Sequence, residues 1–166
     1  MAAGMLIILS GLPGTGKTTI ARALAQEIAA VHIRIDTIEQ ALRDAGVDVI
    51  DHGYHVAYAL AEDNLRVGLT VIADSVNPLQ ITRDAWHDVP KRAGARSIDV
   101  EITCSDKHEH RRRIETRQAD IAGHRIPTWD EVATREYHVW KSEHVVADTA
   151  HEDTAAVVRR IRAALP

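Results

Sequence analysis

Eight residues near the start of the chain, Gly11-Leu12-Pro13-Gly14-Thr15-Gly16-Lys17-Thr18, limit the fold more than any other feature. They match the spacing G-x-x-x-x-G-K-[ST]. An apolar run, Met5 to Ser10, precedes them, and an amphipathic stretch from Lys17 to Ala29 follows. The pattern therefore reads as a buried strand, a glycine-rich turn and a helix. Glycines let the turn adopt backbone angles that aim several N–H groups at one point. That point is also the positive end of the helix dipole. A phosphate chain fits there. Lys17 would bring a full charge to the β- and γ-phosphates of a nucleoside triphosphate, and the Thr18 hydroxyl would serve Mg2+. With glycine at about 7% of average usage, a chance match in this length is a roughly half-percent event. The expected nucleotide-binding residues are Gly11, Pro13, Gly14, Thr15, Gly16, Lys17, Thr18 and Thr19.

Short apolar strands and amphipathic helices alternate along the rest of the chain. Further strands are expected at Val31 to Ile35, Val71 to Asp74, Ser97 to Thr103 and Val145 to Asp148. Helices are expected from about Thr37 to Ala45 and from Tyr54 to Gly68, the latter with Ala57, Leu60, Ala61 and Leu65 on one face. Asn77-Pro78-Leu79-Gln80 reads as a helix start with Asn77 as N-cap. Lys107 to Ala119 reads as a basic helix, Asp120 to Pro127 as a loop, and Thr128-x-x-Glu131 as a capping box opening a helix to about Trp140. The last helix starts near Asp153, with Ala155, Val158, Ile161 and Leu165 inward. Such alternation predicts a parallel sheet covered by helices on both faces. Ligands then sit outside the carboxyl ends of the strands.

The bulk properties agree. A chain of 166 residues, 45% hydrophobic, is one domain with a core of its own. No apolar run is long enough to cross a bilayer, and Met1 to Leu9 is too short and lacks the basic start of a signal peptide. A single cysteine, Cys104, cannot form an internal disulfide, which fits the cytoplasm. The net charge of −4 speaks against a dedicated nucleic-acid binder. Residues 107–125 nonetheless carry a net +3, suited to a compact anion. The ten histidines show no zinc-type spacing.

Two carboxylates follow predicted strands. Asp36 lies just beyond the second, across the crevice from the phosphate turn, where it could take a proton from an attacking hydroxyl. Asp36-x-x-Glu39 is also a capping-box pattern, so a purely structural cap is the alternative. Asp74 ends the third strand, the Walker-B position for a Mg2+ partner; a turn aspartate is the alternative. On the basic helix, Arg113 and Arg117 are four apart and share a face, placing two guanidiniums where they could clamp phosphate oxygens. A solvated helix with Glu109 paired to Arg113 is the plain alternative. His52 and Tyr54 are candidates to face an acceptor pocket.

Taken together, Gly11 to Thr19, Asp36, the segment Val71 to Asn77 with Arg83 and Trp86, and Glu109-x-x-x-Arg113-x-x-x-Arg117 resemble the P-loop kinases. The resemblance is to the group around polynucleotide 5′-hydroxyl kinase, chloramphenicol phosphotransferase, zeta toxins and adenylylsulfate kinases, small kinases of AAA type. It covers nearly the whole chain. It implies a three-layer αβα fold with a five-stranded parallel sheet in 2-3-1-4-5 order and one kinase domain over 1–166. It further implies a short helical lid at about 107–127. By the same resemblance Lys17 and Thr18 bind phosphate and Mg2+, Asp36 is the general base, and Arg117 is the lid arginine. The polynucleotide kinases have an arginine one helical turn after the base; here that position is Glu39. The expected activity is transfer of the γ-phosphoryl group of ATP to a hydroxyl of a small acceptor such as a metabolite, an antibiotic or a nucleoside-like molecule. A polynucleotide 5′-hydroxyl kinase and a regulatory ATPase without acceptor are the other two readings.

Overall fold

A computed structural model describes residues 4–166. Its centre is β1 (Met5–Ser10), buried along its entire length. A strand whose two faces are both covered needs apolar residues at every position, which is what Met5-Leu6-Ile7-Ile8-Leu9 supplies. Around it lie β2 (Val31–Arg34), β3 (Val71–Asp74), β4 (Arg96–Thr103) and β5 (Val145–Asp148). All pairings are parallel and the order is β2-β3-β1-β4-β5, as the resemblance implied. Leu9 lies opposite Asp74 in the β1–β3 register.

Helices α1 (Lys17–Ile28) and α7 (Thr154–Ala164) cover one face. Ile20, Ala21 and Leu24 from α1 and Val157, Val158 and Ile161 from α7 pack there on Ile7, Leu9, Ile72 and Ile102. On the other face α3 (His52–Arg66) and α4 (Gln80–Ala93) bring Ala57, Ala61, Leu65, Trp86 and Val89 onto Leu6, Ile8, Val71 and Ala73. α2 (Ile35–Asp44) follows β2 directly, and α5 (Lys107–Thr116) and α6 (Trp129–Ala133) lie above the carboxyl ends of the strands. With no Phe in the chain, Trp86 is the largest fully buried side chain, edge-on to Tyr58 at 4.7 Å between ring centres. No described helix is long and apolar enough to cross a membrane.

Several expected boundaries move, each for a tertiary reason. Ile35 opens α2 rather than ending β2, and its buried side chain joins the same core cluster as Ala57 and Ile33. Asn77 does not cap α4. It sits at φ 48, fully buried, with its amide on Ser10 Oγ at 3.0 Å and its own N–H on the Tyr54 hydroxyl. The helix starts at Gln80, whose N–H is satisfied by His138 Nδ1 at 3.0 Å. The capping box of Thr128 and Glu131 is present, but α6 stops at Ala133. Beyond it the chain forms a strap along α4. The His138 N–H bonds Pro78 O, and Trp140 stacks on the buried Arg83 guanidinium at 4.0 Å. α5 ends at Thr116 rather than Ala119, since Asp120 is drawn toward β2. In α7 it is Val157, not Ala155, that turns inward, and Leu60 in α3 is 44% exposed.

Trp86 fills the space between α3, α4 and the sheet that a smaller side chain would leave open. Trp86→Ala is expected to lower unfolding stability by about 3–5 kcal/mol, measured as a shift of the urea midpoint at constant m-value.

Candidate functional site

The turn between β1 and α1 is built as its glycines require. Gly11, Gly14 and Gly16 all have positive φ, at 148°, 80° and 99°. At Gly14 a Cβ would also come within 2.6 Å of Ile114 Cδ1, so α5 closes against bare backbone. The turn is braced from several sides. Gly11 N–H bonds Val76 O, the Thr15 hydroxyl bonds Leu12 O, and the Thr149 hydroxyl bonds Thr15 O at 2.7 Å. From α5, the buried His110 places Nε2 2.7 Å from Pro13 O and its ring edge against Trp129. The first residue of α1 is Lys17, so the helix dipole and the lysine charge meet at one place.

Lys17 is buried, and its ammonium donates to Leu12 O at 3.0 Å. Burial pushes its pKa down to about 8; Asp74 and Asp36 oppose the shift, while Arg117 and Arg135 add to it. The Thr18 hydroxyl donates to Asp74 Oδ2 at 2.8 Å. His32, on the adjoining strand, reaches the same oxygen at 3.1 Å. Burial alone would raise the Asp74 carboxyl, but the His32 contact, the Lys17 charge and the Thr18 hydroxyl outweigh it and keep Asp74 ionised. His32 is absent from the sequence reading. Its position on β2 beside β3 comes from strand order, which no local pattern announces.

One cavity of about 640 Å3 opens at this turn. Its lining takes in Pro13, Gly14, Gly16, Lys17, Thr18 and Thr19 together with Asp36, Glu39 and Tyr54. Asp36 lies in the first turn of α2, with Arg34 as the N-cap residue, so Asp36 is not itself the cap. Glu39 is half-buried and its carboxyl is raised by that burial. Tyr54 faces this cavity, whereas His52 is exposed outside it.

The segment after α5 folds over the cavity as an irregular loop rather than a helix. Arg34, 6% exposed, grips Asp120 with both terminal nitrogens, at 2.8 and 3.1 Å, and Arg22 adds a third contact at 2.8 Å. These hydrogen bonds, with Arg34 foremost, hold the Asp120 carboxyl well below the usual range. Arg113 and Arg117 do not share a helical face, because Arg117 is already extended at φ −65° and ψ 135°. Arg113 lines the cavity but its guanidinium is committed: Nε to Glu109, Nη1 and Nη2 to the hydroxyl and carbonyl of Thr149. Arg117 and Arg135 line the same cavity and have no ion-pair partner among the described residues. Arg135 and His124 were not legible beforehand, since each lies in a polar stretch without a motif.

Residues 6–134 match the family described as "AAA domain". Uncharacterized proteins of Mycobacterium tuberculosis and Mycobacterium bovis are 30% identical over 175 residues, covering 82% of this chain. This chain spans only 35% of their length. A shikimate kinase of Corynebacterium glutamicum is 30% identical over 148 residues, covering 78% of this chain and 83% of that protein. Among solved structures, a putative kinase from Chloroflexus aurantiacus superposes with a TM-score of 0.76 at 21% identity, over 99% of this chain and 97% of that one. The Mycobacterium tuberculosis APS kinase CysC, in complex with AMPPNP and APS, superposes with a TM-score of 0.74 at 16% identity, over 98% of each chain.

The buried lysine leaves a signature in stability. Its pKa is about 8 folded and 10.5 in the free side chain, so between these values the unfolded chain binds the extra proton. Stability should therefore rise as pH climbs from about 8 toward 10.5. Lys17→Met removes the buried charge and this dependence together. The variant is expected to be more stable than wild type near neutral pH by on the order of 3 kcal/mol, with the gap closing at alkaline pH, in urea melts run across pH.

Proposed function

The chain belongs to the AAA domain family within the P-loop kinase group, and from that premise we propose that it transfers the γ-phosphoryl group of ATP to a hydroxyl of a small polar acceptor. The observation that carries the proposal is the continuity of the cavity. The phosphate cradle and a carboxylate, Asp36, line one space of about 640 Å3. That volume lies within the usual range for small-molecule sites. Beyond the phosphate turn the lining offers Glu39, Tyr54, His124 and Arg135, donors and acceptors of both charge signs.

The turn amides and Lys17 would hold the β- and γ-phosphates, and Arg117, without an ion-pair partner among the described residues, would meet charge as it develops on the transferring group. Asp36 would orient the acceptor hydroxyl and take its proton. Thr18 and Asp74 suit a magnesium ion: both are oxygen donors, they lie 2.8 Å apart at the foot of the cradle, and Asp74 is held ionised. When bound, that ion neutralises phosphate charge. Arg113 is assigned a bracing role, tying α5 to the Thr149 loop behind the cradle.

Two features favour a small acceptor over a nucleic acid. The chain is acidic overall, and Glu39 lies beside Asp36 where a phosphate-bearing acceptor would meet repulsion. The shikimate kinase is named for a small-molecule substrate, which supports the same class here.

The test is an ATP-consumption screen against hydroxylated metabolites, antibiotics, nucleosides and 5′-hydroxyl oligonucleotides. Acceptor-dependent turnover is expected with a small molecule. Turnover that no acceptor accelerates would instead leave a regulatory ATPase. With a hit in hand, Lys17→Ala should abolish transfer. Asp36→Asn should lower kcat by ~10²–10⁴ with ATP affinity nearly unchanged. Arg117→Ala should lower kcat by ~10³ or more. An equal loss in ATP binding would reduce Arg117 to a ground-state contact.

A further inference from the structure

The lid loop delivers one histidine to the neighbourhood of Asp36. His124 Nε2 lies 3.8 Å from Asp36 Oδ2, and both residues line the main cavity. Its ring is largely enclosed, with the side chain 14% exposed. Its other nitrogen, Nδ1, is buried and has no hydrogen-bond partner among the described residues.

The loop is shaped to bring it there. Four residues earlier, Asp120 is locked to Arg34 and Arg22; four residues later, Thr128 caps α6. Between these anchors Gly123 has φ 77°, and a Cβ there would lie 3.0 Å from Gln40 Nε2. Gln40 and Asp36 are four apart on α2 and so share one face. The bare backbone of Gly123 passes over Gln40, and the next residue comes to rest beside Asp36.

The two nitrogens differ in surroundings, and that difference favours one tautomer of the neutral ring: a proton on Nδ1 would be buried without an acceptor, a costly arrangement. A neutral ring with its proton on Nε2 leaves only a lone pair on the buried side and aims its N–H at Asp36. Arg34 Nη2 approaches the same carboxylate oxygen, Oδ2, at 3.8 Å. Neither Asp36 oxygen accepts a hydrogen bond of ordinary length among the described residues, and both of these longer ion-pair contacts fall on Oδ2 rather than Oδ1. Both gaps exceed hydrogen-bond length, as contacts of this kind do before the reacting complex forms and tightens them.

We infer that His124 is a positioning residue for Asp36, tethering Oδ2 through its Nε2–H so that Oδ1 is presented to the acceptor hydroxyl. The inference rests on the reading of Asp36 as the base. It adds that the base is fully oriented only with the lid loop in place, because the tether is part of that loop. As the acceptor oxygen bonds to the γ-phosphorus, the bond from that phosphorus to the β–γ bridging oxygen breaks and ADP leaves; the proton of the acceptor hydroxyl passes to Asp36 Oδ1, and His124 keeps its own proton throughout.

The experiment has two arms on the full chain. The first is nitrogen-15 imidazole NMR, with the His124 signals assigned by their loss in His124→Gln. The Nε2–H tautomer is expected in wild type, with a clear change in the Nε2 shift in Asp36→Asn. An Nδ1–H tautomer, or signals indifferent to Asp36→Asn, would overturn the inference. The second arm uses the acceptor found by the screen. His124→Leu, which keeps bulk but has no donor, should lower kcat by roughly tenfold at unchanged KM for ATP, and His124→Gln should recover most of it. Wild-type kcat in His124→Leu, with an unaltered urea midpoint, would also overturn it. A screen without any acceptor would defeat the transferase reading, while the imidazole signals would still decide whether His124 holds Asp36.

Discussion

The cleft depends on a short run of left-handed backbone being held from outside. Gly11, Gly14 and Gly16 adopt positive φ at little steric cost, but conformational freedom does not by itself aim a loop. Aim comes from contacts made by distant segments: Val76 on Gly11, Thr149 on Thr15, and His110 on Pro13. These partners lie after β3, after β5 and on α5. The parallel sheet places all three connections at the same end, beside the end of β1. Local chemistry makes the turn possible, and sheet topology holds it in one shape.

A second constraint ties the lid to the floor. Arg34 is the last residue of β2, and its guanidinium is almost fully buried against Asp120. A buried, bidentate pair of this kind is worth more for geometry than for net stability, because desolvation offsets much of the attraction. Its geometric consequence is large. The chain leaves α5 early, Arg117 turns out of the helix, and the loop beyond lies across α2. Arg34 also approaches Asp36. One guanidinium therefore links the loop after α5 to the Asp36 carboxylate in the cavity.

The parts of the fold that were legible are those in which one stretch carries the whole signal. The apolar run of β1, the spacing of Gly11 through Thr18, and the capping box at Thr128 are of this kind, and the structure contains each of them. Asn77 and Pro78 have the composition of a helix start, yet Ser10 and Tyr54 claim Asn77 first. The stretch after Ala133 has helical residues but is taken up by the stacking of Trp140 on Arg83. A local preference is worth a fraction of a kcal/mol and yields to a buried tertiary contact.

The amino-acid order alone determined the glycine-rich strand–turn–helix, the alternation that makes a parallel sheet, and the types of group available to the site. These are short-range properties, set by neighbours along the chain. Tertiary structure alone decided which arginine is free and which is committed, that His32 meets Asp74, and that His124 meets Asp36. Each of those pairings joins residues that are remote in sequence. Their distance is set by strand order and by the route of the lid loop, and no local spacing encodes either.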